Sequence, residues 1–264
     1  NCPFSYYYIS IIKIIAMQVH NIILIFLIAL GISMESHAQT FLESQPVGTS
    51  RDGVLVVYGS NNIGNKRIPY DRISGSPFWK DEYQLATVID NNNQIMGKAP
   101  VRLNLYTNEV YFLTPKGEER VVTPGKARKI IFHKDDNEKE VLAVFENNLP
   151  VIVENNPNAE SPSFVQVMNN GDMQLLKHHK VLFVTADSLF GTMKRYYFSN
   201  QVLYYLNNKF GQNNRLRKLN RDNVMEMINP DSNSEAWIKQ NSINFKKEED
   251  VIRFLDYMNT RKKG

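Results

Sequence analysis

The stretch that most restricts the fold is Val101–Leu113, VRLNLYTNEVYFL, where apolar and polar residues alternate, break at Thr107-Asn108, and alternate again. A period of two marks a strand. Two such runs around an Asn-containing break predict a β-hairpin, because Asn accepts the positive φ that a two-residue loop demands. In that register Leu105 faces Val110 and Leu103 faces Phe112, while Asn104 with Tyr111 and Tyr106 with Glu109 lie on the opposite face. A slip of one residue would mix the faces, so pattern and turn agree on the pairing.

The same signature recurs on both sides. Gln39–Lys80 reads as an extended lead-in with one strand at Gly53–Tyr58. Strands are predicted at Tyr83–Ile89, Arg120–Thr123, Lys129–His133, Glu140–Glu146 and Val151–Glu154, separated by Asn-, Pro- and Gly-containing turns such as Asp90–Asn93. Asn155–Pro162 is a polar loop. Phe164–Met168 and Asp172–Lys177 flank Asn169-Asn170-Gly171, a three-residue loop that would pair Val167 with Met173, Gln166 with Gln174 and Val165 with Leu175. Lys180–Thr185 continues the sheet, and Asp187–Thr192 reads as a short helical turn or a loop. Arg195–Phe198 and Val202–Leu206 form a further hairpin through Ser199-Asn200, and Asn213–Leu219 alternates once more. Short strands between turn signals make the fold class mainly β: an antiparallel meander, either a curled sheet or barrel-like.

After Leu219 the period changes from two to that of a helix. Asn220 is placed to cap Arg221–Ile228, and Ser232-x-x-Glu235 is a capping-box pattern opening a second short helix. Lys247–Asn259 carries Val251, Phe254, Leu255 and Met258 on one face, with Glu248–Asp250 at its positive end and Arg261–Lys263 beyond its negative end. Helices this short need a surface to pack on, so Trp237 and the apolar stripe are expected to dock on the sheet or on each other.

The expected organisation is upstream residues and a signal peptide over 1–38, the lead-in over 39–80, the antiparallel β domain over 81–219, and a C-terminal helical segment over 220–260. The signal peptide rests on the apolar run Ile22–Ile32 followed by Ser36-His37-Ala38, with Met17 as the expected start. A membrane anchor over Ile9–Ile32 is the rival, interrupted by Lys13, Gln18, His20 and Asn21. The one cysteine, Cys2, lies upstream of that cleavage point, so the mature chain is expected to have no disulfide and no thiolate chemistry. Hydrophobic content of 42% and charged content of 22% are those of a globular protein, and a net charge of +4 is too small to imply nucleic acid as a partner.

The LYTNEVYF hairpin, the repeated strand–turn pattern and the C-terminal NFKKEEDVI run resemble a large set of uncharacterised exported proteins of Bacteroidota, over roughly Tyr83 to Asn259. The resemblance implies a β-rich body with a small helical tail and export across the inner membrane. It assigns no catalytic or binding residue.

Catalytic signatures are absent from the sequence. There is no G-x-S-x-G, H-E-x-x-H or phosphate-loop motif, and Asp187-Ser188 lacks any marked partner histidine. His178-His179 are neighbours in a strand, so their rings point to opposite faces and cannot share a metal. His133 stands beside Asp135 and Asp136 without calcium-loop spacing. No cofactor is expected. Four residues are candidates for a binding patch. Phe78 and Trp79 would form one if exposed and would plug the core edge if buried. Arg215 and Arg217 share a strand face within a basic cluster of Lys209, Lys218 and Arg221, with Tyr196, Tyr197, Tyr204 and Tyr205 nearby; the competing reading is a solvated sheet edge. The expected function is a non-enzymatic exported envelope protein, periplasmic or at the cell surface. Its binding or assembly role would engage an envelope protein or a glycan. An envelope hydrolase or small-ligand-binding protein is the alternative.

Overall fold

The computed structural model describes residues 44–46, 54–57, 66–69, 72–134, 139–149, 162–187, 194–208, 214–228 and 230–261. All belong to one compact unit, Thr40–Gly264. Its strands are β1 (Ser44–Pro46), β2 (Val54–Val57), β3 (Lys66–Pro69), β4 (Ile73–Ser74), β5 (Gln84–Asp90), β6 (Ile95–Asn104) and β7 (Glu109–Leu113). They continue with β8 (Glu119–Val122), β9 (Ala127–His133), β10 (Val141–Glu146), β11 (Val165–Val167), β12 (Met173–Asp187), β13 (Lys194–Asn208) and β14 (Asn214–Leu216). Three helices follow: α1 (Arg221–Ile228), α2 (Ser232–Gln240) and α3 (Glu248–Arg261). The predicted Val151–Glu154 strand, residues 188–192 of the predicted turn and the N-terminal leader lie outside the described residues.

Eleven strands form one open, mostly antiparallel sheet in the order β1-β8-β7-β6-β5-β9-β10-β11-β12-β13-β14, and β4 pairs in parallel with β13. The path departs from a simple meander: β5 lies between β6 and β9, so the chain turns back after β8. That return is short. Lys126 N–H donates to the Thr123 carbonyl at 3.1 Å, closing a tight turn in which Gly125 takes a φ of 77°. Such a turn brings its ends within about 7 Å, whereas strands about 4.8 Å apart in a flat sheet would put β8 and β9 about 19 Å apart. The β5–β8 region is therefore curled, which folds Val88, Val101, Leu103, Phe112, Val122, Ile130 and Phe132 around one apolar core. The barrel-like alternative does not hold, because the curl never closes and the sheet ends at β1 and β14.

The Val101–Leu113 hairpin forms with a shifted register. Leu103 pairs with Val110, Val101 with Phe112, Arg102 with Tyr111 and Asn104 with Glu109. The loop is thus Leu105–Asn108 rather than Thr107-Asn108. The cause is Asn104, whose Oδ1 accepts the N–H groups of Tyr106 at 2.9 Å and Thr107 at 3.0 Å, bending the chain before a two-residue turn can form. Leu105 N–H instead donates to the Pro77 carbonyl at 2.8 Å. A shift of two keeps each strand residue on its face, so Leu103 and Phe112 stay inside. Asn108 takes the expected positive φ of 56°.

Beyond β10 a second core assembles on the other half of the sheet. β12 and β13 pair without interruption from Met173↔Asn208 to Asp187↔Lys194. The predicted hairpin at Ser199-Asn200 is therefore absent: Ser199 pairs with Leu182 and Asn200 with Val181 inside a 15-residue strand. Over residues 173–177 and 204–206 the odd-numbered β12 residues and even-numbered β13 residues face the helices, so Met173, Leu175 and Leu206 meet Val251, Phe254 and Leu255 of α3. Farther along the same face Val181, Phe183, Tyr196 and Phe198 join the first core. Trp237 of α2 stacks on Tyr257 of α3 at 4.3 Å and 7°, as the expected docking of helix on helix requires. Asn220 caps α1 through its Oδ1 and the Asn223 N–H at 3.0 Å. The cap of α2 is Asp231, not Ser232: its Oδ1 accepts the Ser234 N–H at 2.9 Å. Arg261 then grips the same carboxylate with two bonds of 2.7 Å, tying the end of α3 to the start of α2. These hydrogen bonds from Arg261, then from Ser234, hold the Asp231 carboxyl well below the usual carboxylate range.

The predicted Asn169-Asn170-Gly171 hairpin also has a different register. Gln166 pairs with Lys177 and Val167 with Leu176, because Asn169 folds back so that its Oδ1 accepts the Leu175 N–H at 2.8 Å. Residues 168–172 thus form a wider loop, which α3 meets through the Asn259 side chain.

Candidate functional site

The β12–β13 ribbon outruns its neighbours. β11 covers β12 only near Leu176 and Lys177, and β14 covers β13 only from Tyr204 to Leu206. Among the described residues, only β4 adds to the sheet near the far end of the ribbon, through Tyr196↔Ile73 and Tyr197↔Ser74. A cleft of about 650 Å³ opens there, within the range of small-molecule sites.

The lining follows from register. Ile73 and Tyr196 turn inward to the first core, and the Tyr196 ring stacks on Phe183 at 5.8 Å and 13°. Ser74 and Tyr197 share the opposite face, and Tyr197 is 37% exposed. Arg72, just before β4, and Arg195, just before Tyr196 on β13, both line the cleft, as do Lys194 and Asp187 where the ribbon ends. The walls therefore carry three cations against one carboxylate. Among the described residues, none forms an ion pair or hydrogen bond with the side chains of Arg72, Lys194 or Arg195. Like charges on neighbouring strands repel, and an anion between them would convert that repulsion into attraction. Guanidinium groups suit the task because they bind oxyanions through paired N–H donors.

A second polar group lies where α3 meets the ribbon. Glu248, the first residue of α3, accepts from Lys177 Nζ at 2.8 and 3.2 Å and from the Tyr204 hydroxyl. Burial pushes the Glu248 carboxyl up, but the bonds from Lys177 and Tyr204 outweigh it and leave it below its ordinary value. Burial, reinforced by Glu248, drives the Tyr204 phenol well above its usual range. Two residues along the same face, His179 Nε2 lies 3.0 Å from Gln166 Oε1 and donates to it. Burial first, then the positive charge of Lys177, lowers the His179 pKa to about 4. This group fastens helix to sheet. It has matched charges, unlike the cleft.

The sequence-predicted residues lie elsewhere. Phe78 forms an isolated bridge with Asn104, and its half-buried ring meets Tyr111 edge-on at 5.7 Å under the Arg102 guanidinium at 3.9 Å. Arg102 in turn pairs with Glu119 at 3.0 Å. Trp79 packs between Phe132 at 4.7 Å and Phe145 at 5.1 Å. Trp79 therefore sits at the edge of the first core, whereas Phe78 lies with Arg102 and Tyr111 on the opposite face of β6 and β7. Arg215 and Arg217 are exposed on either side of buried Leu216, which belongs to the second core. The structure does not join these four into one patch: the rings of Phe78 and Trp79 pack on different partners, and Arg215 and Arg217 flank a residue of the second core. His178 and His179 point to opposite faces, toward Tyr205 and Phe145 respectively. Among the described residues no group of three His, Cys, Asp or Glu side chains could hold a metal ion. None of their helices is long and apolar enough to cross a membrane.

Sequence reasoning missed Arg72, Lys194 and Arg195. Tyr196 and Tyr197 were legible as aromatics near positive charge, but only the parallel β4–β13 contact joins them to Arg72. No protein-family model, curated protein or solved structure matches the chain.

Proposed function

We propose that the protein is an exported, non-catalytic binding protein of the cell envelope whose ligand is a small anion held in the cleft at the end of the β12–β13 ribbon. The observation that carries this reading is the excess positive charge of Arg72, Lys194 and Arg195 over Asp187 around a cleft of ligand size. The described lining offers one carboxylate, Asp187, and no histidine, which supports capture rather than hydrolysis. Export is supported by the Ile22–Ile32 run followed by Ser36-His37-Ala38, and by the resemblance to exported Bacteroidota proteins.

Calorimetric titration of the purified protein with inorganic phosphate at low ionic strength tests the site. Binding with a dissociation constant below about 1 mM is expected, weakening at least tenfold in Arg195→Gln. Absence of binding, or equal binding by the variant, rejects the cleft as the site. Fractionation of expressing cells tests export, which a purely cytosolic protein would contradict.

A further inference from the structure

Resting on the anion-site reading, we infer that the cleft takes a sugar phosphate, with the phosphate between Arg72 and Arg195 and the sugar ring against Tyr197. Charge sets the first half of the ligand. Three cations and one carboxylate leave two positive charges on the lining, and a phosphomonoester near neutral pH carries about −1.5 to −2. The two arginines precede the paired residues Ile73 and Tyr196 on neighbouring strands, which places them side by side. A tetrahedral oxyanion can accept from both at once.

The second half follows from the aromatics. Tyr196 is occupied, since its ring stacks on Phe183. Tyr197 is 37% exposed and lines the cleft. A sugar can lay its C–H face on one such ring and needs polar groups at its rim. The Asp187 carboxylate and the Ser74 hydroxyl line the same cleft and are suited to sugar hydroxyls. The volume of about 650 Å³ leaves room for a saccharide beyond the phosphate.

Calorimetry of the full protein with glucose 6-phosphate, glucose, inorganic phosphate and adenosine monophosphate decides the matter. Glucose 6-phosphate is expected to bind about tenfold tighter than phosphate, and glucose alone not measurably. Tyr197→Ala should abolish that tenfold advantage, bringing glucose 6-phosphate to the affinity of phosphate, and Arg195→Gln should weaken both phosphate ligands. Thermal unfolding of each variant verifies that it is folded. Equal affinity for phosphate and glucose 6-phosphate overturns the saccharide assignment and leaves the anion site standing. Tighter binding of adenosine monophosphate than of glucose 6-phosphate overturns it in favour of a nucleotide. Failure of every phosphate to bind rejects both readings.

Discussion

The side-chain amide of Asn259, in the last turn of α3, pairs with the backbone of Met173, the first residue of β12: Oδ1 accepts its N–H at 2.8 Å and Nδ2 donates to its carbonyl at 2.9 Å. The amide does what a neighbouring strand would do, and it lets the ribbon begin beyond the reach of β11. A third bond, Nδ2 to the Asn170 carbonyl at 3.2 Å, ties in the loop.

Asn259→Ala should therefore be costly for a residue at a helix end. It removes these bonds and strands a buried N–H, a loss of about 2–4 kcal/mol. Urea unfolding measures it. A change below about 0.5 kcal/mol would show that water or the loop replaces the amide.

Gly171 is the complement of that amide. Its φ is +121°, and an added Cβ would stand 2.4 Å from Asn259 Nδ2, which is fixed by its own hydrogen bonds. Gly171→Ala should destabilise by about 2–3 kcal/mol through backbone strain and steric clash. In the double variant with Asn259→Ala the clash is gone and only backbone strain remains, so the two losses should sum to more than the double variant's loss. Strictly additive losses would place the whole Gly171 effect in the backbone.

How much of this was legible depends on whether a residue's role is periodic or singular. The core faces of β6 and β7 and the Val251–Phe254–Leu255 stripe of α3 could be read because burial repeats with the element's own period. Asn104, Asn169 and Asn259 could not, because each satisfies particular backbone groups by side-chain contact, and composition marks Asn only as a turn former. Ser199-Asn200 shows the converse. It reads as a turn, yet two long strands with apolar residues on either side outweigh that weak local preference. The cleft residues escaped notice because Arg72 reaches the ribbon only through a two-residue parallel contact.

Asn104→Ala tests the first of these roles. Asn104 is fully buried, and its Oδ1 holds two backbone N–H groups of the Leu105–Asn108 loop. Losing both bonds should cost about 2–3 kcal/mol. The loop also supplies Asn108, whose Oδ1 accepts the Phe164 N–H at 3.2 Å, so amide exchange should accelerate at Tyr106, Thr107 and Phe164 together. Acceleration at Tyr106 and Thr107 alone would mean that the loop keeps its shape without Asn104.

His179 predicts how stability responds to acid. Burial, then Lys177, and to a smaller extent His178 lower its pKa from 6.5 to about 4, while Glu248 opposes them. In the unfolded chain the imidazole titrates near its ordinary value. Between pH 6.5 and 4 the unfolded state therefore binds a proton that the folded state refuses, so stability falls as pH drops through that window and is level above it. Because water reaches part of the ring, the loss is set at about 1–2 kcal/mol rather than the full linked value. The carboxyl of Glu248 lies below 4.5 and adds its own loss only at lower pH, so the upper part of the window isolates the histidine. His179→Gln should flatten urea-derived stability between about pH 6.5 and 5 while preserving the steeper loss below it. Identical slopes for both proteins in that upper interval would show that the imidazole is as solvated in the folded protein as in the unfolded one.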